Sequence, residues 1–162
     1  MRESKGIVMP LNCWDIYAVH FDKLIQQSKI AYDIRQLNTL LEYNLNQNVL
    51  NLLEEQQYDA LVYTNPTQQI EWVSKGFTEM TGYPKSYALG KKPTFLQGEK
   101  TSKKTRKAIK QQLGGNDYIE ETILNYKKNG DQYLCKIHIV PLYNSEDLLS
   151  GYLAIEKELK AA

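Results

Sequence analysis

Near Tyr58 the chain changes its apolar period, and that change restricts the fold more than any other feature of the sequence. Before it, Trp14, Tyr17, Phe21, Leu24 and Ile25 recur at helical spacing, with Pro10 upstream and Asn12 available as a cap, so a helix is predicted from Trp14 to Ile25. A second stripe, Ile30, Ile34, Leu37, Leu41, Leu45, Val49 and Leu52, has a mean step of about 3.7 residues, close to the α-helical period. It predicts a helix from about Ala31 to Glu55, roughly 37 Å long at about 1.5 Å per residue. Lacking sustained heptads, it is not a long coiled coil, but it needs a surface to pack against.

After Tyr58 the pattern is that of strands. Ala60 to Tyr63 and Gln69 to Ser74 read as two, joined by the turn-forming Thr64-Asn65-Pro66-Thr67. Short helices are predicted over Lys75 to Met80 and Tyr87 to Leu89, and a longer one from Ser102 to Leu113 with Gly114-Gly115 as its stop. Three strands follow: Tyr118 to Tyr126, Gln132 to Leu142 and Ser150 to Lys157. Asn129-Gly130 between the first two suits a two-residue turn in which both residues take positive φ. The order gives an α+β fold, a five-stranded antiparallel sheet with short helices on one face, preceded by an N-terminal helical extension. The expected division is residues 1–57 for the extension and 58–162 for the sheet domain.

Three stretches carry a family resemblance. Gly90-Lys91-Lys92-Pro93-Thr94-Phe95-Leu96-Gln97 resembles the Gly-Arg-Asn-Cys-Arg-Phe-Leu-Gln segment of light-oxygen-voltage (LOV) domains, the flavin-binding branch of the PAS superfamily. Ile70-Glu71-Trp72-Val73-Ser74-Lys75-Gly76-Phe77-Thr78-Glu79-Met80-Thr81-Gly82-Tyr83 is similar to the stretch in which these domains leave their second strand for a short helix. Leu124-Asn125-Tyr126-Lys127-Lys128-Asn129-Gly130 is similar to their Asn-Tyr-Arg-Lys-Asp-Gly hairpin. The matches run from about Asp59 to Glu158 in the family's order, and they imply a PAS fold of the LOV-like type. The family's reactive cysteine, however, is Pro93 here. Proline has no nucleophilic atom, so no thiol adduct with a flavin can form at this position.

The resemblance also implies which side chains face a cavity. Asn125 matches an asparagine that hydrogen-bonds the flavin ring, which puts Ile123 on the same inward face. The inward set of the next strand is then Tyr133, Cys135, Ile137 and Ile139, with Lys136 and His138 directed to solvent. On the last strand it is Tyr152, Ala154 and Glu156. Gln97 and Asn125 match polar flavin contacts, and Phe95, Leu96 and Ile109 match packing positions. Four further positions depart from the family: Thr94 stands for the phosphate-pairing arginine, Lys110 for the second arginine, Cys135 for the second asparagine and Glu156 for the glutamine beside the ring. Lys110 can act as a point charge, whereas Thr94 cannot grip a phosphate bidentately. An inward Glu156 needs a partner or a raised pKa to remain buried. The expected ligand contacts are therefore Gln97, Asn125, Cys135, Glu156, Phe95 and Lys110, around a cavity with no cofactor or with a different ligand; flavin mononucleotide (FMN) is the alternative.

Other function classes find little support. The chain has no apolar run of membrane-spanning length and no signal-peptide core, so a cytoplasmic protein without membrane attachment is expected. Cys13 and Cys135, the two cysteines, fall in dissimilar segments and read as reduced thiols. Cys135 and His138 sit on opposite strand faces, Cys13 and His20 lack further metal ligands, and no phosphate-cradling glycine loop is present. No enzyme is expected. Lys91, Lys92, Lys100, Lys103, Lys104, Arg106, Lys107 and Lys110 oppose the single acid Glu99 in an otherwise acidic chain of net charge +1. Without interleaved aromatic residues this reads as a solvated helix face rather than a nucleic-acid site, or as a surface for electrostatic self-association.

The sequence ends a few residues after its last expected strand, so the expectation is a stand-alone sensory or protein-interaction module in signal transduction, without an output domain. A homodimer through the N-terminal helices, an unidentified protein partner and a small-molecule ligand in the cavity complete it. Its rivals are a flavin protein that signals by photoreduction and a purely structural dimerisation unit.

Overall fold

A computed structural model describes residues 12–115 and 117–160, with side chains from Asp15 onward. The Cys13 side chain, half of the pair weighed as metal ligands, lies outside the described residues. Helix α1 spans Asn12–Leu41 as one element of 30 residues. Two helices were expected from the two stripes, but Gln26-Gln27-Ser28-Lys29 holds neither glycine nor proline, and the backbone ladder continues through it. The second stripe is instead cut. Glu42 takes φ +59°, and Asn46 caps a new helix, α2 (Gln47–Glu55), by accepting the Val49 N–H at 3.0 Å. An asparagine carboxamide offers the backbone a local alternative to helix, and this overrides an apolar period that runs past it unbroken. The chain divides into two compact units between Glu42 and Tyr43, so α2 belongs with the sheet.

The second unit is a five-stranded sheet with helices inserted between its second and third strands. The strands are β1 (Ala60–Thr64), β2 (Ile70–Val73), β3 (Ile119–Tyr126), β4 (Gln132–Tyr143) and β5 (Leu149–Leu159), in the order β2-β1-β5-β4-β3, with every neighbouring pair antiparallel. Between β2 and β3 lie α3 (Lys75–Thr81), α4 (Lys85–Ala88), a 3-10 turn (Pro93–Leu96) and α5 (Lys103–Gly115). Phe77 and Met80 of α3 and Leu96 of the turn join Val62, Ile123 and Ile137 of the sheet in one buried cluster. Each such side chain contributes roughly 1.5–3 kcal/mol on leaving water.

Alternation along β3, and along β4 as far as Ile139, follows the expected parity except at His138, whereas β5 buries Leu153 and Ile155 as well as Tyr152 and Glu156, and β1 is buried throughout. His138 was expected in solvent but is buried, because Tyr118 lies over it with its hydroxyl hydrogen-bonded to His138 Nδ1. Burial lowers the His138 pKa, so the ring is held as a neutral partner of the phenol. The β3–β4 turn also differs from expectation. Of Asn129 and Gly130 only Gly130 has positive φ, +92°. Gly130 N–H donates to Lys127 O and Lys127 N–H to Asp131 O, which makes a three-residue loop ending in a left-handed glycine rather than a two-residue turn. The Asn129 side chain supports this form by accepting the Asp131 N–H at 3.0 Å.

Candidate functional site

The inserted helices are tied to the sheet at defined points, and a cavity remains between them. The Ser74 hydroxyl accepts the Leu61 N–H at 2.9 Å, fixing the exit from β2. Gly90 N–H donates to Ile70 O and Ile70 N–H to Lys91 O, so the segment leading to the 3-10 turn is strapped to the β2 edge. Pro93 sits in the first turn of that 3-10 helix, where its missing N–H costs nothing. Gly98 follows, at a point where a Cβ would collide with the Tyr126 ring. Thr101 then accepts the Gly98 N–H at 2.9 Å and donates to Leu124 O at 2.7 Å, anchoring the start of α5 to β3. At its far end the Tyr152 hydroxyl donates to Leu113 O at 3.2 Å.

The cavity volume is about 250 Å3. Ile123, Ile137 and Ile139 of the sheet and Leu96, Ile109 and Leu113 opposite give it apolar walls. Four of the residues selected from the sequence, Gln97, Asn125, Glu156 and Lys110, border it, and Pro93 and Thr94 stand beside Gln97. Two do not reach it. Cys135 is fully buried in the packed cluster behind the wall. Phe95 packs against the buried cluster and meets Tyr83 and Tyr87 edge-on, with ring centroids 5.1 and 5.6 Å apart. The residue that sequence reasoning missed is Arg106, which also lines the cavity. It lies one helical turn before Lys110, so the spacing that put Lys110 on the inward face of α5 put Arg106 there too.

Glu156 dominates the electrostatics. It is 4% exposed, its Oε2 has no hydrogen-bond partner, and desolvation raises its pKa from 4.5 to about 7. No cation contributes to that shift, so the carboxyl is uncompensated on the cavity wall. Cys135 and Tyr133 are pushed above their ordinary values, chiefly by burial and secondly by the Glu156 charge. The Cys135 sulfur is therefore a thiol rather than a thiolate at neutral pH, and a poor nucleophile.

FMN, the cofactor that the resemblance implies, fits one end of this site only. Asn125 and Gln97 supply the amide groups that a flavin ring edge uses. Thr94, at the phosphate position, is exposed and offers one hydroxyl. The cavity volume of about 250 Å3 lies just below the roughly 300–1,000 Å3 of ordinary ligand pockets, and Glu156 stands where the resemblance places a glutamine beside the ring. The residues present supply the ring-edge amides and lack the arginine grip on the phosphate. Among the described residues no group of His, Cys, Asp and Glu could hold a metal ion, and no helix is long and apolar enough to cross a membrane.

The pattern of the PAS domain family matches residues 59–160, from the start of β1 to the end of β5. A blue-light-activated histidine kinase of Rhizobium johnstonii is 36% identical over 81 residues, which cover 50% of this chain and 24% of that protein. A blue-light photoreceptor of Listeria innocua is 31% identical over 103 residues, covering 62% of this chain and 40% of that protein. The chain thus spans less than half the length of these relatives. Among solved structures, the LOV domain of the Erythrobacter litoralis blue-light activated histidine kinase superposes with a TM-score of 0.60 at 25% identity, over 65% of this chain and 100% of that domain.

Proposed function

Since this chain belongs to the PAS domain family, on its LOV-like side, we propose that it is a sensory and protein-interaction module that responds to a small molecule in its cavity and forms no cysteine adduct. The observation that supports this reading is Pro93 at the cavity wall, in the segment where LOV domains carry their thiol. Cys135 cannot substitute, since it is packed behind the wall and burial keeps it protonated. No catalytic step is assigned to the chain. Its signal is a shift in population between two arrangements of the helices, driven by the difference in ligand affinity between them.

A flavin-binding module that signals by photoreduction is the second reading, and it draws on Gln97 and Asn125 bordering the cavity. One experiment separates the two. The protein is purified, supplied with FMN and its absorption recorded before and after blue light, alongside a Pro93→Cys variant. Neither protein is expected to retain flavin or to show reversible bleaching. Flavin retained by the parent, reduced in light without an adduct, would establish the second reading; an adduct spectrum in the parent would overturn both.

A further inference from the structure

Arg106 is held at one end and borders the cavity. One terminal nitrogen, Nη2, donates to Thr101 O at 3.2 Å, and Thr101 is itself buried and fixed to Leu124 O. The guanidinium is thus positioned by the fold, and its Nε is closed off without a partner. A charged group with one N–H left unpaired gains the more from an acceptor on its other nitrogens. Lys110, one turn further along α5, borders the same cavity and adds a second positive charge.

Neither cation is consumed within the protein by the acid that shares their cavity. Glu156 Oε2 has no partner, and its shift has desolvation as its only cause, which means that Arg106 and Lys110 do not neutralise it. Its side chain is more than nine-tenths buried, so the wall holds a fixed guanidinium and a buried carboxyl that do not satisfy each other, beside the amides of Gln97 and Asn125. That is the pattern of a ligand site rather than of a packed core.

We propose that the cavity binds a small organic acid with an apolar body, whose carboxylate is gripped by the Arg106 guanidinium with Lys110 beside it, and whose hydrogen-bonding far end meets Glu156. This rests on the reading of the cavity as a ligand site. Arginine presents neighbouring N–H groups in a fixed fork that matches a carboxylate, so Arg106 supplies direction and Lys110 only charge. The cavity's volume of about 250 Å3 limits the occupant to something smaller than the ligands of ordinary pockets. Arg106 also lies outside the two positions at which the resemblance places phosphate contacts, Thr94 and Lys110, so the acid is held one turn nearer the start of α5.

The test is titration calorimetry on the whole chain with two probes of the same shape, 3-(4-hydroxyphenyl)propanoate and its neutral amide 3-(4-hydroxyphenyl)propanamide. The acid is expected to bind at least about tenfold more tightly than the amide, a difference of about 1.4 kcal/mol. Arg106→Gln should reduce the acid to the level of the amide, while Arg106→Lys and Lys110→Gln each retain part of the preference. Should Arg106→Gln fail to fold, the Lys110→Gln variant and the acid–amide ratio in the parent still decide the matter. Equal binding of acid and amide, or an unchanged preference in Arg106→Gln, overturns the acid-binding proposal and leaves the cavity a ligand site. If neither probe binds and native mass spectrometry of the purified protein finds no small molecule, both the proposal and the ligand-site reading fall; a neutral molecule found there overturns the proposal alone.

Discussion

A single buried carboxyl sets the chemistry of the cavity, and its consequences for stability follow from linkage. Glu156 has its pKa raised to about 7 by desolvation, whereas in the unfolded chain it titrates near 4.5. Between those values the native state binds the extra proton, so this contribution to stability is fully present below about pH 4.5 and is lost as pH rises through about 7. The loss is on the order of 3 kcal/mol at most. Glu156→Gln removes the titrating group while keeping the shape. The variant should match the parent at pH 4.5 and exceed it at pH 8.5 in urea denaturation, and equal differences at the two pH values would refute the assignment. The sequence made the problem visible, since strand parity pointed Glu156 inward and an inward acid needs a raised pKa. It did not make Arg106 visible, because a basic residue in a run of basic residues reads as solvated until helix spacing is applied to it.

At the scale of elements, the apolar stripe of the first helix remains without cover over one stretch. Tyr17, Phe21, Leu24 and Ile25, spaced i, i+4, i+7 and i+8 and hence on one face, are 68%, 63%, 47% and 53% exposed. Side chains of this size each give roughly 1.5 kcal/mol or more on burial, and a second copy of the same stripe is a self-complementary partner across a two-fold axis. The chain is therefore expected to be a homodimer through α1, and Phe21→Glu with Leu24→Glu should yield monomers by light scattering. A parent found monomeric at tens of micromolar, or variants that remain dimeric, would remove the interface from α1. The same helix shows where periodicity runs out. Spacing located every strand to within a residue or two, and once the resemblance had turned Asn125 inward, a period of two carried that face across β3, β4 and β5. It misjudged where the helices join and break, since continuity from Asn12 to Leu41 depends on the absence of breakers and the stop at Asn46 on one side-chain hydrogen bond. The burial of His138 was equally hidden, for it depends on the hydroxyl of Tyr118, just before the neighbouring strand.

For the whole molecule, the uneven charge decides which partners are available. The net charge is +1, yet eight basic residues fall between Lys91 and Lys110, and α5 with its approach carries most of them. Affinity for nucleic acid depends on many cations presented together to successive phosphates, with aromatic faces to stack bases where the strand is single. Here Arg106 is tied to Thr101 O, while the seven lysines of the stretch are exposed. No aromatic residue interleaves with them from Lys100 to Lys110, and a net charge of +1 gives the molecule little long-range attraction for a polyanion. Tyr83 and Tyr87, the nearest aromatic pair, are stacked on each other at 5.0 Å with Lys91 Nζ 4.3 Å from the Tyr87 ring, so their faces are already engaged. The protein is expected to show no measurable binding to duplex or single-stranded DNA or RNA at about 0.15 M salt, and fluorescence anisotropy over a salt series is the check. Submicromolar affinity there, falling steeply with salt and abolished by charge reversal at Lys103, Lys104 and Lys107, would make α5 a phosphate-binding surface after all.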